Sequence, residues 1–263
     1  MNERVTIGQY LPGDSFVHRL DPRIKLVLTA IFIVFIFMVD EFIGFGIYFA
    51  YIVAVLVNAR IPFSRLLRGL RPILFIILFT FFLNVFTTGG ESLFQWWVFN
   101  FTREGIYKGA FTSVRLVLLV FGTTILTLTT SPLELTDAIE SLFKPLTVFR
   151  FPAHELAMMI SIALSFIPTL FAEADKIRKA QTARGADFES GNVLKRAKAM
   201  IPLLVPLFLN AFRRAEELGT AMEARCYRGG EGRTRLNPLR LQTKDVLTLF
   251  LVSAYLVAVG LFF

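Results

Sequence analysis

The sequence predicts an all-α integral membrane protein with about five transmembrane helices and a cytoplasmic domain of three helices. Its mean hydropathy is +0.61, and 55% of its 263 residues are hydrophobic. Several apolar runs approach the roughly 20 residues that a helix needs to cross the hydrocarbon core of a bilayer. These runs are continuous rather than alternating, which argues against an outer-membrane barrel. The cations concentrate in a short stretch at 58–71 and in a long one at 131–243.

The first 130 residues are predicted to form an N-terminal membrane domain with four spans. The first 23 residues are polar and the first apolar run starts only at Ile24, so no cleavable signal is expected. Asp21-Pro22 predicts a helix cap followed by proline at the first helical position. The predicted spans cover about 22–39, 42–57, 70–86 and 110–130.

The orientation follows from the one-sided charge of residues 58–71, which contain four arginines and no acid. The positive-inside rule places this loop in the cytoplasm. Trp96 and Trp97 suggest an interfacial belt on the outer side. With a final transmembrane helix in residues 244–263, its apolar run starting at Val246, the N-terminus is cytoplasmic and the C-terminus external. The expected location is the cell membrane.

Residues 131–243 are predicted to form the cytoplasmic helices. They hold 16 of the 28 Lys and Arg residues, interleaved with acids. Ser131 and Glu134 have the spacing of a capping box. Two long helices are expected at about 153–183 and 192–225, each a rod of roughly 50 Å. The apolar halves of both helices leave two alternatives open, because each could stay below the bilayer or partly enter it.

Motifs for catalysis and metal binding are absent from the sequence. There is no phosphate-binding loop of the Gly-x-x-x-x-Gly-Lys-[Ser/Thr] type, no His-Glu-x-x-His and no Gly-x-Ser-x-Gly. One cysteine and two distant histidines make a structural zinc site improbable. We therefore expect no catalytic residue, no cofactor and no metal. The net charge of +8 fits positive-inside bias, so no nucleic-acid partner is expected.

The two long helices are predicted to end in nearly the same residues. Both end in Ala-x-x-Ala-Arg, first at 180–184 and then at 221–225. The small side chains flatten one helix face and allow another backbone to approach. The arginine fork suits bidentate pairing with a carboxylate. Two such ends predict insertion into grooves of a partner, whose movement the long helices would pass to the membrane.

These arginine-bearing helix ends, together with an N-terminal motif, resemble a known family, the transmembrane T component of energy-coupling factor (ECF) transporters. The resemblance covers essentially the whole chain. It depends on Gly13-Asp14-Ser15, His18-Arg19-Leu20-Asp21-Pro22-Arg23, Lys25-Leu26 and the two Ala-Arg endings. Such proteins carry a paired Ala-Arg-Gly signature. Here the first copy is intact, whereas Cys226 replaces glycine in the second, a departure that concerns the helix cap more than the arginine.

The resemblance implies a non-catalytic coupling subunit of an ABC-type importer for vitamins or trace metals. It implies two ATP-binding-cassette subunits that receive the helix ends, with docking residues Ala183, Arg184, Gly185, Ala224 and Arg225. It also implies a substrate-binding membrane S component, which rests on the apolar halves of the long helices. The platform residues are Met159, Phe166, Ile167, Leu170, Leu204, Phe208 and Phe212. The same apolar residues also suit ordinary packing against the spanning helices.

Two other functions remain in competition. An integral-membrane enzyme could act on lipid-linked substrates at the basic cytoplasmic face, and turnover by the isolated chain would support it. A stand-alone permease would take up substrate in vesicles without any ATPase. The predicted spans contain few ionisable residues, whereas a secondary transporter usually needs some at membrane depth.

Overall fold

The structure is a computed structural model that confirms the all-α class. It describes residues 10–89, 92–96, 99–145, 152–188, 190, 192–229, 239 and 241–263, without the side chains of 92–96, 99–101 and 193. The chain divides into two units. The membrane unit contains residues 8–138 and 239–263, and the long-helix unit contains residues 1–7 and 139–238.

The membrane unit is built from helices joined by short turns, with one small β-hairpin. Its elements are α1 (Phe16–Arg19), α2 (Pro22–Ile36), α3 (Phe42–Ala59), α4 (Phe63–Leu70), α5 (Leu74–Thr87), β1 (Ser92–Trp96), β2 (Phe99–Thr102), α6 (Arg103–Thr129), the start of α7 (Pro132–Phe143) and α10 (Thr243–Phe262). The strands pair antiparallel. The long-helix unit contains the end of α7, α8 (Ala153–Ala183) and α9 (Val193–Ala224).

Local capping signals placed several helix starts correctly. Asp21 caps α2, where its side chain accepts a hydrogen bond from the backbone N–H of Arg23 at 2.9 Å. The capping box at α7 is confirmed, since Ser131 and Glu134 exchange side-chain-to-backbone bonds of 3.0 and 3.3 Å. In both cases the side chain satisfies a backbone donor that the first helical turn leaves unpaired.

Several helices begin or end at residues other than those that the sequence predicts. Helix α2 ends at Ile36 instead of Val39. The loop expected at 58–71 contains the short helix α4, and the third expected span begins after it, at Leu74. Helix α6 starts at Arg103, about two turns early, because Thr102 caps it by accepting from the N–H of Gly105 at 3.0 Å. Trp97 and the side chain of Trp96 lie outside the described residues, so the interfacial belt stays a prediction.

The core of the membrane unit lies between α2, α3, α6 and α10. Tyr48 of α3 is fully buried and donates to the carbonyl of Leu256 in α10 at 2.8 Å. Gly122 of α6 lets Phe32 of α2 approach closely, because a Cβ at this glycine would lie 2.5 Å from the ring. These contacts hold the four helices together through side chains that fill space and satisfy their polar atoms.

The two ends of α10 lie beside the two ends of α2, so these helices run parallel. At one end, the backbone N–H groups of Asp40 and Glu41 donate to the carbonyl of Phe263 at 2.7 and 3.0 Å. At the other end, Arg23 donates to the carbonyl of Leu239 at 3.2 Å. The C-terminus therefore shares one end of the unit with the acidic turn at 40–41.

The described residues contain four or five candidate spans, against the expected five, and the set of helices differs. Four described helices, α3, α6, α8 and α10, are long and apolar enough to cross a membrane, and α4 with α5 forms a fifth candidate bent by 61°. Helix α2 has 15 residues, about 22 Å, which is shorter than the roughly 30 Å hydrocarbon core. Helix α8 qualifies through its apolar first half, for which the sequence left entry into the bilayer open.

Candidate coupling surface

The first predicted docking end closes α8 with a complete Schellman motif. The N–H of Gly185 donates to the carbonyl of Thr182 at 2.9 Å, and the N–H of Ala186 donates to that of Gln181 at 3.0 Å. Gly185 has a φ of +89°, the left-handed conformation that this motif requires at the residue after the cap. Arg184 is the cap itself. The helix therefore stops abruptly, with its arginine at the tip.

The second docking end repeats this geometry at α9. The N–H of Cys226 donates to the carbonyl of Glu223 at 2.9 Å, and that of Tyr227 donates to Met222 at 3.0 Å. Arg225 is the cap, as Arg184 is in α8. The two ends thus share one backbone shape, although Cys226 replaces glycine in the second copy.

Cys226 occupies the position at which the first copy has glycine, and its φ is +54°. A residue with a Cβ pays about 1–2 kcal/mol in the left-handed region, where glycine does not. The substitution therefore strains the cap while leaving the arginine in place.

Replacing Cys226 with glycine should stabilise the protein by about 1 kcal/mol, because the strained residue is removed and the hydrogen bonds remain. For a chain of this size the thermal midpoint should rise by about 2 °C. Thermal unfolding of the purified chain in detergent measures this shift. Cys226→Ala is the matched control, since it removes the thiol and keeps the Cβ. An equal rise in both variants would assign the effect to the thiol instead.

Both arginines are available to a partner. Arg184 and Arg225 are exposed, as are Ala183 and Ala224 beside them. Within the part of the chain that the structure describes, no carboxylate forms an ion pair with either guanidinium. The structure thus places all five predicted docking residues at two exposed helix ends.

Contacts within the long-helix unit show where α8 and α9 meet. Asn210 donates to the carboxylate of Glu173 at 3.0 Å, and the guanidinium of Arg214 lies 5.9 Å from the ring centre of Phe166. Along α8 the contacts run from Phe166 to Glu173, whereas along α9 they run from Arg214 back to Asn210, so the two helices are antiparallel here. Each arginine tip lies eleven residues beyond a contact, about 17 Å of helix. The two tips therefore leave the contact region in different directions.

The predicted platform residues divide into two groups. Met159, Leu204, Phe208 and Phe212 are exposed, with Phe212 the most exposed at 71%. Phe166, Ile167 and Leu170 are partly buried. On α9 the exposed apolar side chains form a continuous stripe at helical spacing, made of Ile201, Leu204, Val205, Phe208, Leu209 and Phe212. A stripe of this extent is typical of a surface that meets a protein partner or lipid.

The motif at residues 13–25 has a structural role that the sequence does not indicate. Buried Asp21 links two helix starts, because its N–H donates to the carboxylate of Asp245 in α10 at 3.4 Å. The same carboxylate caps α10 by accepting from the N–H of Gln242 at 2.9 Å. The start of α2 is therefore fastened to the segment at which the chain re-enters the membrane unit.

Lys25 links the start of α2 to the end of α6. Its ammonium group donates to the carbonyl of Thr129, the last residue of α6, at 3.0 Å, and to that of His18 at 2.9 Å. Lys25 is only 6% exposed, so these bonds replace the water that the charge has lost. The available sequence signal was a single lysine in an apolar run, four residues after Asp21.

His18 completes the N-terminal part of this network. Its Nε2 donates to the carbonyl of Leu11 at 3.1 Å, and its Nδ1 lies 2.7 Å from the hydroxyl of Ser15. Because a carbonyl only accepts, the proton of the neutral ring lies on Nε2, and Nδ1 accepts from Ser15. Partial burial lowers the pKa of His18, which favours this neutral form. The histidine thus has a structural role.

Among the described residues, no group of three or more His, Cys, Asp or Glu side chains could hold a metal ion. The polar network described above consists of caps and helix-to-helix bonds. The two exposed arginine tips and the exposed apolar stripe of α9 are the candidate coupling surfaces.

Comparisons with known proteins identify the family. The family model described as cobalt transport protein matches residues 13–236. The chain is 54% identical to an energy-coupling factor transporter transmembrane protein of Thermosediminibacter oceani, over 97% of this chain and 96% of that protein. Proteins with the same description from Clostridium kluyveri and Bacillus subtilis are 52% and 49% identical. These matches cover 94% and 100% of this chain, and 92% and 99% of the relatives.

The relatives are transmembrane components of a transporter, a non-catalytic class of subunit, which confirms that the chain is not an enzyme. The apolar helices and this kinship make the chain a multi-pass cell-membrane protein. The matches extend over nearly the full length of this chain and of its relatives, so the resemblance seen in the sequence is confirmed. The chain belongs to the family of energy-coupling factor transporter transmembrane proteins, the T components of these transporters.

Proposed function

We propose that this T component transmits ATP-driven motion of two ABC-type ATPase subunits to a substrate-binding S component in the membrane. The observation that carries this proposal is the pair of matched, exposed arginine tips on two long helices. Helices α8 and α9 continue from their tips into their apolar halves, through Pro168 in α8 and through Pro202 and Pro206 in α9, so displacement at a tip is passed along the helix.

Each arginine tip docks into a groove of one ATPase subunit. Ala183 and Ala224 allow close approach of the partner's backbone, while Arg184 and Arg225 pair with an acidic group in the groove. Gly185 and Cys226 end the helix directly after the arginine, so no further turn blocks its entry. Two tips that leave their contact region in different directions suit two separate ATPase subunits.

The S component rests on the exposed apolar surface of the long helices. Phe208 and Phe212 are the main anchors, because large aromatic side chains contribute most at protein interfaces. The partly buried Phe166, Ile167 and Leu170 support this surface from within the helix pair. The S component selects the substrate, a vitamin or a trace metal, and the present chain supplies the moving platform.

The N-terminus and the basic helices are cytoplasmic, and the C-terminus is external. The chain offers a direct test through Cys226, its single cysteine, which is exposed. In a host cell that expresses the chain alone, a membrane-impermeant maleimide should leave Cys226 unlabelled, yet label it in inside-out vesicles. Glu41→Cys in a Cys226→Ser background should show the reverse pattern, because exposed Glu41 lies beside the C-terminus. The opposite result for both sites would invert the topology.

The proposed function is tested by co-expressing the chain with candidate ATPase and S components and purifying it in mild detergent. We expect one complex that contains all the subunits, and uptake in proteoliposomes that requires ATP. Uptake without ATPases would favour a permease and would contradict the coupling role.

A further inference from the structure

We propose that α4, together with the flanking Arg60 and Arg71, forms a binding surface for the head groups of anionic phospholipids. This surface is independent of the docking tips and of the apolar stripe of α9. It combines a helix fixed against the membrane unit, an apolar strip and a basic strip. Each of the three can be assigned to particular side chains.

The inner side of α4 is held firmly. Leu66 is fully buried. Gly69 allows close packing on α6, because a Cβ there would lie 2.9 Å from the hydroxyl of Thr124. At the border between the inner and outer sides, the ring of Phe63 lies 6.0 Å from that of Phe121. The helix therefore cannot rotate freely, and its outer side presents a defined set of residues.

The outer side of α4 separates into an apolar and a basic strip. Successive residues of a helix are rotated by about 100° around its axis, so Phe63 and Leu67 lie next to each other on its surface. Their side chains are 43% and 48% exposed. Arg65, Arg68 and Arg71 follow around the helix and are all exposed. An aqueous surface would favour polar side chains across the whole outer side, whereas a bilayer interface favours this division.

The angle between α4 and α5 supports the same placement. The two helices are bent by 61° across three residues. If α4 continued as part of a span, its arginines would lie in hydrocarbon, at a cost of several kcal/mol each unless they reached the surface. The arrangement that keeps these arginines out of hydrocarbon has α4 lying along the bilayer surface, with the arginines at the level of the phosphates, while the 14-residue α5 enters the bilayer.

The cations of this surface attract an external anion. No acid occurs at 58–71. Among the residues that the structure describes, no carboxylate pairs with Arg60, Arg65, Arg68 or Arg71. A cavity of about 330 Å³ adjoins Arg60 and is otherwise lined by apolar residues of α3, of the turn after it and of the start of α4, including Leu56, Ile61 and Phe63. A phosphate joined to an acyl chain complements this combination of cations and apolar surface.

The test measures binding of phosphatidylglycerol to the full-length chain in detergent. Wild type should bind it more tightly than phosphatidylcholine. A triple variant that carries Arg65→Gln, Arg68→Gln and Arg71→Gln should bind phosphatidylglycerol about a hundredfold more weakly, because each lost charge weakens binding roughly fivefold. The matched control is a second triple variant, which carries Lys176→Gln, Arg178→Gln and Lys179→Gln. They remove the same charge from an exposed, acid-containing segment of α8 and should leave binding unchanged.

Three results would overturn the proposal. The first is an equal loss of phosphatidylglycerol binding in the control variant of α8 and in the variant of α4, which would show a non-specific effect of net charge. The second is full displacement of phosphatidylglycerol by 10 mM inorganic phosphate, which would assign the arginines to free anions. The third is tighter binding of an acidic peptide than of the lipid. Should the triple variant fail to fold, the single exposed changes Arg65→Gln and Arg68→Gln should each weaken binding about fivefold.

Discussion

Replacing both Arg184 and Arg225 with alanine is expected to release the two ATPase subunits from the complex. In each groove the alanine leaves the partner's carboxylate buried and unpaired, which costs about 2–5 kcal/mol. Each single change should therefore weaken association at least about thirtyfold, and the double change should abolish recovery of the ATPases. Co-purification from membranes in mild detergent, followed by quantification of each subunit, measures the effect.

The matched controls are Arg178→Ala in α8 and Arg213→Ala in α9. Both remove an exposed cation from the same helices, away from the tips. They should retain the ATPases, since an exposed charge on the side of a helix contributes less than about 1 kcal/mol. Full recovery of the ATPases with the double tip variant would rule out the arginine tips as the docking elements.

Replacing Phe208 and Phe212 with glutamate is expected to release the S component while the ATPases stay bound. These side chains are 60% and 71% exposed in the free chain and lie one helical turn apart. A carboxylate in their place loses the aromatic contact and must be desolvated without a partner. Each change should cost at least about 2 kcal/mol, so the double variant should lose binding by about a thousandfold.

Leu194→Glu is the control for this variant, because Leu194 lies on the same helix and is 76% exposed, but precedes the apolar stripe. It should retain the S component. Quantifying the S component and the ATPases in one purification separates the two surfaces. Retention of the S component by the Phe208 and Phe212 double variant would place the platform elsewhere. Loss of both partner types would indicate that the helix had unfolded.

The positions of the two long helices could be predicted because their limits are encoded locally. Pro152 precedes α8, and Gly185 and Cys226 follow the arginine caps, so turn and cap chemistry defines the ends within one residue. The predicted docking residues rest on the same kind of signal, since a cap with an adjacent arginine is a short-range pattern.

Features that depend on side chains far apart in the sequence were not predictable. The sequence predicts a loop where helix α4 forms, because the stability of α4 comes from Leu66 and from the approach of Gly69 to Thr124, more than fifty residues later. The network around Lys25 joins segments that are over a hundred residues apart. No local pattern predicts which distant carbonyl such a cation will meet.

Sequence by itself determined the class of the protein, the count of apolar helices, and the caps that end the long helices in arginine. All of these follow from local backbone chemistry and from the cost of placing charge in hydrocarbon. Tertiary structure alone decided which polar groups become buried partners, which halves of the long helices stay exposed, and where the chain bends between α4 and α5. Those outcomes depend on packing between distant segments, which no short stretch of sequence contains.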